Sequence, residues 1–146
     1  MAIDRHGEFW RGEDLTDLAD YLPEFQPGGY PVERVKKVFC LRCEGKAFSV
    51  LADDAEGCAQ VGCMVCGERA FIADSADYWL DAEPDECACP CGGEVFHVAI
   101  GFALGTDGEV RWISLGLRCI QDGTVGVYAD WKIDYGPTDH LLVDAD

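Results

Sequence analysis

The chain has 146 residues, 49% of them hydrophobic, and carries 28 acidic against 11 basic side chains for a formal net charge of −17. That composition excludes a disordered tail and fits one ordinary domain or two very small ones. The charge makes the surface as a whole repel phosphates, and no run approaches the roughly 18 apolar residues that span a bilayer.

Residues 1–32 hold no cysteine. Their start, Met1 to Glu8, is polar and lacks the apolar core of a signal peptide, so the expectation is a soluble, cytoplasmic chain with no membrane partner. Asp14 is placed to cap a short helix whose apolar positions Leu15, Leu18, Ala19 and Leu22 follow the 3.6 period, and Pro23 ends it. Gln26 to Pro31 is a turn-rich connection. Residues 33–73 form a first cysteine-bearing unit, with Phe48 to Leu51 as a strand and Asp53 to Gly57 as a turn. The acidic stretch 74–86 suits a helical turn or a loop.

Residues 87–136 read as a second unit, a three-stranded antiparallel meander. Phe96, Val98, Ile100 and Phe102 share one face of its first strand, and Thr106-Asp107-Gly108 supplies a hairpin turn. The return strand, Val110 to Cys119, places Ile113, Leu115 and Leu117 together. After the Asp122-Gly123 turn, Val125, Val127, Ala129, Trp131, Ile133 and Tyr135 alternate along a third strand. Residues 137–146 are an acidic tail. The fold expected is mainly β, with a short N-terminal helix and two β-hairpin units.

Nine cysteines stand at 40, 43, 58, 63, 66, 87, 89, 91 and 119. An odd count without a secretion signal argues against a disulfide framework, and recurrent C-x-x-C and C-x-C pairs argue for metal. Cys40-Leu41-Arg42-Cys43 and Cys63-Met64-Val65-Cys66-Gly67 are two knuckles separated by 19 residues. A hairpin folded midway returns the second pair to the level of the first, and four thiolates close a tetrahedral shell. C-x-x-C, a β-hairpin, then C-x-x-C-Gly resembles the zinc ribbons over about 30 residues, a structural device and not a function. The resemblance implies a structural zinc; a single iron, as in rubredoxin-like ribbons, is the alternative.

Cys87-Ala88-Cys89-Pro90-Cys91 opens the second unit, and hairpin geometry sets Cys119 opposite about residue 95, near Cys91. Cys89, Cys91 and Cys119 therefore make a three-ligand core. Cys119-Ile120-Gln121-Asp122-Gly123 looks like a knuckle with aspartate in the second cysteine's place. The fourth ligand is then Cys87, favoured on softness, or Asp122, favoured on knuckle geometry. Two zinc ions are the expected complement. His97, on the strand face opposite Phe96, reads as a partly exposed strand histidine, His6 and His140 lack visible partners, and Cys58 reads as a buried or half-buried thiol.

No H-E-x-x-H, phosphate-binding glycine loop, nucleophile elbow or deaminase pattern is present, so enzymatic chemistry has little support. The acids at 130 and 134 around Lys132 read as a solvated strand face. The favoured function is a protein-interaction module for a partner with a basic surface, such as an inhibitor or immunity-type protein covering a basic nuclease. Two alternatives stand beside it. One is a nucleic-acid-associated ribbon using Arg34, Lys36, Lys37, Arg42 and Lys46 around the first knuckle, although those bases also offset the thiolate charge. The other is a thiol redox or metal sensor.

Overall fold

A computed structural model of the chain describes residues 10–24, 32–133, 138 and 141. The turn-rich connection at 26–31, the histidines at 6 and 140, and the strand end at 134 and 135 lie outside the described residues. Among the described residues no helix is long and apolar enough to cross a membrane.

The chain folds mainly as β structure with one short helix, α1 (Leu15–Tyr21). The Asp14 side chain caps α1 by accepting the Asp17 N–H at 2.9 Å. Pro23 then sits in a 3-10 turn over Leu22–Glu24, because it can neither donate to the ladder nor continue it. A helix of seven residues is too short to persist alone, and its buried Leu15 and Leu18, with Leu22 just beyond, supply the packing that keeps it.

Eight antiparallel strands form one open sheet: β1 (Val32–Lys37), β2 (Phe48–Asp53), β3 (Cys58–Cys63), β4 (Arg69–Phe71), β5 (Asp85–Glu86), β6 (Phe96–Leu104), β7 (Val110–Cys119) and β8 (Val125–Lys132). The meander expected of the second unit is β6–β8, and the acidic stretch before it holds two 3-10 turns, Ser75–Asp77 and Trp79–Asp81.

The main path of the sheet runs β4-β3-β2-β6-β7-β8, so each hairpin unit contributes its first, second and third strand outward from a common seam. At that seam Phe48 pairs with Phe96, the corresponding residue of each unit. The lead-in strands cross over: β1 pairs with β6 and β5 with β2. The register is equivalent on both sides, with Lys37 opposite Ala99 and Glu86 opposite Leu51. Val38 N–H donates to Val98 O and Cys87 N–H to Val50 O, both at 2.9 Å. Helical segments cross too, α1 packing on β6 and β7 while the Ser75–Asp77 turn packs on β3. The two halves are thus related by an approximate two-fold axis at the Phe48–Phe96 pair, each lending its lead-in to the other.

Two corrections to the strand pattern follow. A bulge between Leu115 and Gly116 of β7, opposite Ala129 and Val127 of β8, adds one residue at Tyr128. Val125 and Val127 therefore face α1, whereas Ala129, Trp131 and Ile133 enter the main core around Phe48, Phe96 and Leu117. The expected single alternation is broken because one extra residue exchanges the faces. His97, expected to be partly exposed, is buried, since α1 covers the second face of the sheet; its Nδ1 lies 3.4 Å from the Arg118 guanidinium.

One close approach ties the first hairpin to the second half. Gly57, in the β2–β3 turn at φ 77°, lies against Trp131, whose Cβ would stand 2.8 Å from any Cβ added at 57. Gly57→Ala combines a backbone strain with that clash, so we expect the unfolding free energy to fall by about 1–3 kcal/mol in denaturant titration. An unchanged midpoint would contradict this packing.

Candidate metal centres

Each knuckle is a hydrogen-bonded turn, and three of them are built alike. Cys40 N–H donates to Gly45 O (2.7 Å) and Glu44 N–H to Cys40 O (2.8 Å). At the next knuckle Cys63 N–H donates to Glu68 O (2.8 Å) and Gly67 N–H to Cys63 O (2.9 Å). The third repeats the pattern, Cys119 N–H to Thr124 O and Gly123 N–H to Cys119 O, both 2.8 Å. The Cys89–Cys91 turn is one residue tighter, closing from Cys89 N–H to Gly93 O and from Gly92 N–H to Cys89 O at 2.8 Å. Every turn needs one residue at positive φ, namely Glu44 (63°), Gly67 (81°), Gly92 (94°) and Gly123 (83°).

These turns bring four donors together at each of two places. Cys40, Cys43, Cys63 and Cys66 form one group, and Cys89, Cys91, Cys119 and Asp122 the other, with all candidate ligand atoms within 4.8 Å of one another in each. In the first, Cys40 Sγ faces Cys66 Sγ and Cys43 Sγ faces Cys63 Sγ, both at 3.5 Å. In the second, Cys91 Sγ faces Cys119 Sγ at 3.6 Å and Cys89 Sγ faces Asp122 Oδ1 at 3.5 Å. A tetrahedral ion with metal–sulfur bonds of about 2.3 Å sets sulfurs about 3.8 Å apart, and sulfur and carboxylate oxygen about 3.5 Å apart. Both groups could hold a metal ion, in the manner of zinc-ribbon sites.

The two groups match member by member. Cys40 and Cys63 are buried, Cys43 exposed and Cys66 half-buried; Cys89 and Cys119 are buried, Cys91 exposed and Asp122 half-buried. Asp122 thus stands where Cys66 stands in the first group. Cys87 is not brought into the second group. It occupies the place equivalent to Val38, pairing with Val50 through its backbone and packing against the main core. Burial, with Asp85 and Glu86 beside it, pushes its thiol up to about 11. Cys58 is fully buried, where burial and the neighbouring acids raise its thiol pKa.

The turns also prepare the ligand atoms electrostatically. In the first group amide N–H groups point at the first sulfur of each knuckle, from Arg42 to Cys40 Sγ and from Val65 to Cys63 Sγ, each at 3.4 Å. The amides of Cys66 and Val65 hold the Cys63 thiol down to about 6, and those of Cys43 and Arg42 lower Cys40. Such amides favour the thiolate, the form that binds metal. At Asp122 burial works upward, but the Thr124 amide and hydroxyl and the adjacent thiols hold the carboxyl down to about 2.

Two glycines let the sulfurs converge. A Cβ at Gly93 would stand 2.8 Å from Cys119 Sγ and 3.4 Å from Cys91 Sγ. At the equivalent Gly45 it would stand 3.2 Å from Cys43 Sγ and 3.4 Å from Cys63 Sγ. Cys43-x-Gly45-x-x-Phe48-x-Val50 and Cys91-x-Gly93-x-x-Phe96-x-Val98 share this spacing. That repeat is the sequence signal that would have assigned Cys89 and Cys91, without Cys87, to the first knuckle of the second half.

Glu44 is the one non-glycine among the four positive-φ knuckle positions. Glu44→Gly removes the left-handed strain, and we expect stability to rise by about 1 kcal/mol in thermal or denaturant unfolding of the metal-loaded protein. A loss of stability would show that the Glu44 side chain is needed at the turn.

Comparison of the chain with protein-family models, curated proteins and solved structures finds no match among them.

Proposed function

We propose that the chain is a protein-interaction module whose rigid form depends on two structural zinc ions, one in each half. The observation that carries this reading is the equivalence of the two donor groups, each closed by four protein atoms that leave no position for a substrate. Zinc suits donor sets dominated by thiolate, and in each group it would tie the two ends of a hairpin to the core. Asp122 is the fourth ligand of the second site in this reading, because it shares both the knuckle bonds and the burial of its counterpart Cys66.

The surface supports an interaction role over catalysis. Leu41 is 94% exposed, Val65 71% and Leu80 99%, so apolar side chains stand at knuckle tips and loops where solvent gains nothing from them. The net charge of −17 would speed encounter with a protein whose surface is basic.

Elemental analysis of the purified protein should give two zinc per chain. Cys87→Ser should retain both, Cys63→Ser should lose one, and Asp122→Ala should lose the other. Asp122→Cys should restore two. A Cys87→Ser variant with one zinc and an Asp122→Ala variant with two would reverse the ligand assignment. Bound iron, visible as thiolate charge-transfer colour, would replace the structural-zinc reading with an electron-transfer one.

A further inference from the structure

The two halves also differ in what covers the phenylalanine at the seam. Over Phe96 lies the ring of Tyr128, edge-on at 5.4 Å between centroids. It approaches Gly126, whose added Cβ would lie 3.6 Å from the ring, and the nearby thiols Cys89 and Cys119 help raise its pKa, after burial itself. The equivalents of Phe96, Gly126 and Cys89 in the first half are Phe48, Ala70 and Cys40. Those three residues line an open compartment of about 160 Å³. Tyr128 reaches its place through the β8 bulge, whereas β4 ends at Phe71 without one. A ring present in one half is thus replaced by a vacant groove in the other.

The compartment adjoins a larger one of about 340 Å³, and Val38, Phe39, Leu41, Val61 and Ala70 line both. Phe39 and Phe71 line this groove and remain 47% and 41% exposed. A cavity near 150 Å³ accommodates one benzene-sized ring. The charged side chains at the groove are Lys36 and Arg69 against Glu68, in a chain with 28 acids and 11 bases; Lys37 borders the groove, but its ammonium turns to the α1 face and donates to Thr16 Oγ1 at 3.4 Å. Among the described residues Lys36 has no acid within 4.0 Å. β4 is also the last strand on the sheet's main path, and among the described residues no strand pairs with its outer edge, which leaves that edge for an extended segment.

The geometry points to this groove as the docking site for an extended acidic segment of a partner protein, which inserts one aromatic side chain over Phe48. The ring takes the place that Tyr128 fills in the other half, and flanking carboxylates meet Lys36 and Arg69. This inference rests on the interaction-module reading and adds where the partner binds: its surface at large is basic, and the segment seated in this groove is its locally acidic part.

A phage-displayed random dodecapeptide library selected on the full-length, zinc-loaded protein tests it. The result expected is a consensus with one Phe, Tyr or Trp flanked by Asp or Glu. By fluorescence anisotropy, affinity for the enriched peptide should fall at least tenfold on Lys36→Glu, and on Ala70→Trp, which fills the compartment. Zinc content and circular dichroism establish that each variant is folded; if Ala70→Trp loses zinc, the lysine reversal decides. A consensus lacking either feature, or an affinity unmoved by the lysine reversal, overturns the groove assignment and leaves the module reading standing. Enrichment of no peptide at all overturns both. A parallel titration with single-stranded RNA that binds through Lys36 and Arg69, with no acidic aromatic consensus, assigns the groove to nucleic acid instead.

Discussion

β2 and β6 meet at a single residue pair, Phe48 with Phe96, and diverge on either side of it. Beyond this pair each strand takes as its neighbour the lead-in strand of the other half, so β1 completes the edge of β6 and β5 the edge of β2. The backbone groups freed by the divergence are satisfied only by this exchange. Neither half can therefore close its own sheet. The buried side chains of both halves merge into one main core that includes Phe48, Phe96, Val61 and Leu117, and the cysteines at 40, 63, 89 and 119 stand at its margin.

The same arrangement divides labour within each knuckle. The first cysteine is anchored in the core, and the second ligand stands nearer solvent. A buried thiol is held in place by packing, and the amide groups of its own turn stabilise its charged form. The two groups nonetheless differ in chemistry. Four sulfurs make a uniformly soft shell, whereas Asp122 brings a hard oxygen donor to the second group and leaves it one thiolate fewer. Cys58 and Cys87 stand apart from both groups, with burial and neighbouring acids holding their thiols protonated.

Near-symmetry makes the differences informative. α1 covers the β6–β7 face, while shorter 3-10 turns do the corresponding work on β3. β8 has eight residues and a bulge that turns Tyr128 onto Phe96; β4 has three and leaves the surface beside Phe48 open. The basic side chains at 36 and 69 border that opening. Where one half spends a side chain on its own core, the other presents a groove with local charge opposite in sign to the chain as a whole.

The sequence by itself determined the features that depend on near neighbours. The Asp14 cap, the Asp107-Gly108 and Asp122-Gly123 turns, the alternating strands and the C-x-x-C knuckles are all local, because turn chemistry and hydrophobic period act over a few residues. The convergence of Cys89, Cys91 and Cys119 was also legible, since a hairpin of known length fixes which residues face each other. The tertiary structure decided the rest. Which of Cys87 and Asp122 joins the second group depended on the crossing of β5 onto β2, which commits Cys87 to a backbone pairing with Val50. The burial of His97 depended on α1, and the facing of Val125 and Tyr128 on one inserted residue in β8. Contacts between segments far apart in the chain carry no local spacing, so only the folded sheet could place them.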